Sequence, residues 1–205
     1  MENNNQELGA EFLLAEFEAI QQRAIQMEQS KSSSINFYFI IVAAAIAAVP
    51  GMLSLVPDTM ARPLLMAMLL FIFLAGIRTL ENSVDQAINA VRLYRRAGRI
   101  RKYFHDVCQD IQGYLPFEAS DAFPRINLPA SLAYRGAEVT VFTVNVVSLS
   151  GVFGIAFSYL SVWLSLAIFV TFMCFSWVLQ QRYFRGKLRR SEDVAKKRVY
   201  FPMNS

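Results

Sequence analysis

Apolar residues along this chain gather in four long stretches, and the segments between them keep helical spacing. Ile35 to Val56 carries no charged residue, and Pro63 to Leu80 carries only Arg78, near its end. A further tract, Val139 to Leu179, is also free of charge. At about 40 residues it is twice the roughly 20 that a bilayer-spanning helix needs. Its natural break falls at Ser158-Tyr159-Leu160-Ser161, with Tyr159 and Trp163 beside it. Both residue types favour the membrane–water interface. These stretches show no polar face at a 3.6-residue period, which a soluble amphipathic helix would have. Four membrane-spanning helices in two hairpins are therefore predicted. Ahead of them, the first 30 residues are polar and acidic, unlike a signal peptide, so the first span is expected to stay in the mature protein.

The polar segments carry their own patterns. Leu13, Phe17, Ile20, Ala24 and Met27 recur at alternating steps of four and three, a stripe of about two heptads. Such a stripe suits docking on the protein's own linker or self-association. Ser30 and Ser32 to Ser34 then interrupt the pattern, as a cap or a hinge. Val84, Ile88, Val91 and Arg95, then Ile100, Phe104, Val107 and Ile111, repeat the spacing and predict a helix from about Leu80 to Tyr114, open to interruption at Gly98. Pro116, Pro124 and Pro129 exclude a long helix after Gly113 and predict a return loop. Pro50-Gly51 is expected to break or bend the first span near its outer end.

Composition agrees with this layout. Of 205 residues, 55% are hydrophobic and 18% charged, against about 45–50% and about 25% in soluble domains. Disorder is excluded by the hydrophobicity, and a disulfide-stapled fold by a count of two Cys. The charge changes the picture more. If the chain crosses four times, every one of the 20 Lys and Arg except Arg62 falls on one side. Cationic residues resist translocation, so that side is expected to be cytoplasmic. The outer connections are then short, roughly Pro57 to Arg62 and the turn near Tyr159.

Candidate chemistry is sparse. No phosphate-cradling glycine loop or dinucleotide fingerprint occurs. His105 and Cys108 are spaced to share a helix face, but two ligands do not make a structural zinc site. No catalytic residue, cofactor or metal is therefore assigned. Within the spans there is no Asp, Glu or Lys at depth, which argues against an ion-coupled transporter. Asn145 is the strongest polar candidate. With Ser148, Gly151 and Gly154 it is expected to bring helices or subunits together closely, as Leu13, Phe17, Ile20 and Met27 are outside the membrane; lining a pore is the alternative for Asn145. Two basic blocks, Arg95, Arg96, Arg99, Arg101 and Lys102, and Arg182, Arg185, Lys187, Arg189 and Arg190, are expected to meet lipid headgroups. Contact with an anionic, phosphate-bearing ligand or with nucleic acid is a second, less favoured reading of these blocks.

The stretch Ala15-Glu16-Phe17-Glu18-Ala19-Ile20, with Ile35-Asn36-Phe37 at the membrane edge, is similar to an uncharacterised group of small bacterial multi-spanning membrane proteins. More loosely, it resembles the transmembrane effectors of nucleotide-signalled phage defence, including SLATT-type domains. The similarity covers about residues 11–45 and the topology, and carries over no functional residue. It implies a membrane-disrupting or channel-forming effector, or a membrane sensor, working with a separate soluble partner. The second tight hairpin departs from that pattern.

The expected fold is an all-α integral membrane protein of the bacterial inner membrane with cytoplasmic termini. It comprises an amphipathic helical N-terminus (1–34), a transmembrane hairpin (35–80), a cytoplasmic linker (81–137), a second hairpin (138–181) and a basic tail (182–205). The expected function is a non-enzymatic effector or sensor that forms a homo-oligomer in the lipid bilayer, with a role in antiviral defence. A membrane anchor recruiting a cytoplasmic protein partner, and a small transporter, are the alternatives.

Overall fold

The computed structural model describes residues 2–107, 120–122, 124, 136–159, 161–197 and 199–200. The fold is all-helical: α1 (Glu2–Leu55), α2 (Asp58–Val107), α3 (Gly136–Ala156) and α4 (Val162–Lys196). Each is long and apolar enough to cross a membrane. The break predicted near Tyr159 is present, with turn residues at 157–159 between α3 and α4. Ser161 caps α4, its Oγ accepting from the Leu164 amide at 3.0 Å and so satisfying one of the orphan donors of a helix start.

Several expectations need correction. Ser30 to Ser34 neither end nor hinge a helix, because α1 runs through them for 54 residues. Their hydroxyls are used sideways instead. Asn82 Nδ2 donates to Ser34 Oγ at 3.1 Å, and Gln86 Nε2 to Ser30 Oγ at 3.1 Å. Pro50 lies inside α1 without ending it. The first outer connection is shorter than Pro57 to Arg62, since α2 starts at Asp58 and the Met60 and Ala61 amides already donate to the Pro57 carbonyl. Gly98 does not interrupt α2, which is 50 residues long, about 75 Å at 1.5 Å per residue. The basic tail is helical as far as Lys196. The predicted extension of α2 to Tyr114, Cys108 and most of the proline-rich return loop lie outside the described residues.

The chain divides into two compact units, to both of which α1, α2 and α4 contribute. The first, here the polar unit, takes Met1–Ser30, Asp85–Asn127 and Leu188–Ser205. Its core is Ile20, Ala24, Leu93, Ala97 and Ile100, with Leu13, Phe17, Met27, Tyr94 and Phe104 packed around it. Thus the heptad stripe of α1 lies against α2 of the same chain. Ala24 and Ala97 are both fully buried; small residues there let the two backbones come close.

The second, the apolar unit, takes Lys31–Val84 and Leu128–Lys187. Here α3 is the most enclosed helix: 39% of its apolar stretch is buried, against 17% in α2 and 6% in α1 and α4. Aromatic pairs join α3 to α4. Phe142 meets Trp177 edge-on at 4.6 Å, and Phe153 stacks on Phe172 at 3.7 Å between centroids. Gly136 opens α3 at φ 48°, a left-handed conformation that glycine adopts without penalty.

Candidate functional site

Two polar constellations stand out, one in each unit. In the apolar unit, Asn145 and Tyr38 are both buried, and the Tyr38 hydroxyl donates to Asn145 Oδ1 at 3.2 Å. Gly76 of α2 makes room for them, since a Cβ at that position would overlap the Asn145 side chain. Three helices therefore meet at one polar contact. Ser148 and Gly154 are also buried on α3. A Cβ on Gly151 would approach Leu69 of α2 at 3.0 Å, and one on Gly154 would approach Phe169 of α4 at 3.4 Å. The structure thus puts Asn145, Ser148, Gly151 and Gly154 to use in packing within one chain.

A polar collar lies at one end of the same unit. Glu138, in the first turn of α3, pairs with Lys31 of α1 and accepts from Ser83 Oγ of α2 at 3.0 Å. A carboxylate in a first turn is also favoured by the helix dipole. Tyr183 of α4 donates to Glu81 Oε1 of α2 at 2.8 Å. Arg182 is exposed beside it, while Arg185 and Lys187 are half-buried.

In the polar unit, arginines on one side of α2 line a cavity of about 340 Å³. Arg92, Arg95, Arg96 and Arg99 stand at steps of three, one and three, which groups them on neighbouring rows of a helix. Val194 and Ala195 of α4 form another wall, and Asp121 and Tyr200 also line the cavity. Gly98 explains how Asp121 gets there. A Cβ on Gly98 would collide with the Ser120 carbonyl, so its absence lets the 120–122 segment lie on α2. Ser120 and Asp121 are buried as a result. Asp121 Oδ2 then accepts from Arg99 Nε at 2.8 Å and from the Tyr200 amide at 2.9 Å. The Tyr200 ring lies 4.2 Å from the Arg99 guanidinium carbon, a cation–π contact.

Arg95 is held most firmly. Its Nη2 donates to both carboxylate oxygens of Glu192, at 3.1 and 3.0 Å, and its Nε donates to the Pro124 carbonyl at 3.0 Å. Both members of this ion pair are buried. Arg95 Nη1 is buried too, and has no hydrogen-bond partner among the described residues.

The predicted basic blocks therefore do not form one surface. Arg95, Arg96 and Arg99 converge, joined by Arg92. Arg101 instead covers the Phe17 ring at 5.5 Å, where burial lowers its pKa. Lys102 pairs with Asp106 at 2.7 Å. Arg189 and Arg190 are exposed on α4. The sequence reading missed Asp121 and Tyr200 as members of the cavity, and Glu192 as the partner of Arg95. The spacing of the four arginines was a usable signal for one wall; nothing local marks the other walls. Among the described residues no group of three His, Cys, Asp or Glu could hold a metal.

Comparison with protein families, with curated proteins and with solved structures finds no match.

Proposed function

We propose that this chain is a four-pass integral protein of the bacterial inner membrane, with both ends and the central linker in the cytoplasm. It acts there as a non-enzymatic effector or sensor that self-associates through its spans. The observation that carries the reading is the exposure of apolar side chains on the apolar unit. Phe37, Ile46, Phe71, Trp163 and Phe175 are between 57% and 82% exposed. Soluble monomers rarely leave large contiguous apolar patches in water, whereas acyl chains and neighbouring subunits cover them without loss. The one-sided distribution of Lys and Arg supports the orientation. The polar collar suits the end of the spans, where headgroups and water begin. The resemblance of residues 15–20 and 35–37 supports an effector over an anchor, and suggests phage defence as its setting.

The test is controlled expression in bacteria with a potential-sensitive dye, alongside the oligomeric state in mild detergent. Depolarisation with growth arrest, and a species of several subunits, are the expected results. A membrane-inserted, monomeric protein that leaves the potential unchanged would overturn the reading.

A further inference from the structure

We propose that the arginine-lined cavity of the polar unit is a binding site for a small phosphate-bearing anion. The proposal deepens the reading above, because it names the class of signal that the polar unit receives. Charge is the first argument. Among the described residues, four guanidinium groups and a single carboxylate, Asp121, line the cavity. Asp121 is engaged with Arg99, and Glu192 with Arg95. Arg92 and Arg96 form no ion pair among the described residues, and both are exposed. The positive-inside rule accounts for cations on this side of the membrane. It does not account for their convergence on one concavity.

The second argument is preorganisation. Arg95 is fixed by Glu192 and the Pro124 carbonyl, and Arg99 by Asp121 and the Tyr200 ring. Guanidinium forks held in place match the geometry of phosphate oxygens and lose little freedom on binding. The volume, about 340 Å³, falls in the range of small-ligand pockets.

The phosphate can belong to a free anion or to a lipid headgroup, and two arms separate these sources. Full-length protein in zwitterionic phosphatidylcholine nanodiscs is titrated calorimetrically with inorganic pyrophosphate. The same protein in nanodiscs containing phosphatidylglycerol is followed by thermal unfolding. The variant is Arg92→Gln with Arg96→Gln, which spares both buried carboxylate pairs. Arg96→Lys, which keeps the charge and loses the fork, serves if the double variant fails to fold. Saturable pyrophosphate binding, weakened at least about tenfold in the variant, assigns the site to a free anion. No pyrophosphate binding, with phosphatidylglycerol stabilising the wild type but not the variant, assigns it to a headgroup. Absence of both responses, or equal responses in wild type and variant, overturns the proposal. Pyrophosphate binding without depolarisation on expression keeps the site and removes the effector reading. Depolarisation with neither anion response removes the site and keeps that reading.

Discussion

Tyr38 Oη donates to Asn145 Oδ1 at 3.2 Å, joining α1 to α3 across 107 positions of sequence. The pair is buried, and Gly76 is the position that gives it space. Gly76→Ala places a methyl group where the Asn145 side chain sits, an overpacking expected to cost about 1–3 kcal/mol. Tyr38→Phe removes the hydrogen bond alone and should cost less, about 0.6 kcal/mol by the average for bonds between membrane helices. Denaturant titration in mixed micelles measures both. A Gly76→Ala variant as stable as wild type would show that the three helices do not meet as described.

Arg95 and Glu192 make a different prediction, because both are charged and buried. Glu192→Leu leaves a guanidinium without its counter-charge and should destabilise the polar unit by about 3–5 kcal/mol. Replacing both, Arg95→Met with Glu192→Leu, should recover most of that loss, since buried ion pairs contribute little net stability over apolar packing. A double-mutant cycle on unfolding midpoints checks this. Equal losses in the single and double variants would show that the pair adds stability beyond compensating its own burial.

How much of this was legible in the sequence depends on the range of the interaction. The four apolar helices follow from uncharged runs long enough to cross a bilayer, and the break at Tyr159 from a local change in polarity. The stripe from Leu13 to Met27 predicted a buried face and left open what buries it; Leu93, Ala97 and Ile100 do so. Where reading by residue type failed, tertiary context prevailed. Ser30 to Ser34 looked like a helix end, yet Asn82 and Gln86 give two of these hydroxyls partners on a neighbouring helix. Gly98 looked like a break in α2, yet it provides clearance for Ser120. Arg92, Arg95, Arg96 and Arg99 were visible as a basic block. Asp121 and Tyr200, drawn from an irregular segment and from beyond α4, have no spacing that would reveal them.

The docking of α1 on α2 in the polar unit can be separated from self-association through the same stripe. Ala24 is completely buried. Ala24→Glu forces an unpaired carboxylate into the contact, at a cost of several kcal/mol. The first 30 residues should then become sensitive to limited proteolysis in detergent. Leu14→Gln, at an exposed position of the same helix, should leave the digestion pattern unchanged. A change of oligomeric state in Ala24→Glu with unaltered proteolysis would instead mean that the stripe pairs subunits.

Gly98→Ala tests how the cavity is assembled without touching a charged group. The added methyl collides with the Ser120 carbonyl, so the 120–122 segment must move away from α2. Asp121 then loses its hold on Arg99 and on the Tyr200 amide. Exchange of that amide reports the change directly: a loss of about 1.4 kcal/mol of protection appears as tenfold faster exchange. Unchanged protection at Tyr200 would mean that the tail is held by other contacts.

The proposed orientation rests on charge distribution and is open to direct test. With Cys108 and Cys174 replaced by Ser, single cysteines can be introduced at Thr59, Tyr159 and Lys197, all exposed. Thr59 opens the start of α2 and Tyr159 the α3–α4 turn, which the proposed topology puts outside. Lys197 follows α4 and should face the cytoplasm. A membrane-impermeant maleimide applied to intact spheroplasts should label Thr59→Cys and Tyr159→Cys and spare Lys197→Cys until the cells are lysed. The pattern depends on an even number of crossings, because Arg62 is then the only cation beyond the membrane. Labelling of Lys197→Cys in intact cells would place the seven remaining Lys and Arg of the C-terminal segment outside, against the tendency of such residues to remain in the cytoplasm. That result would remove the four-pass topology and the cytoplasmic setting of the arginine cavity with it.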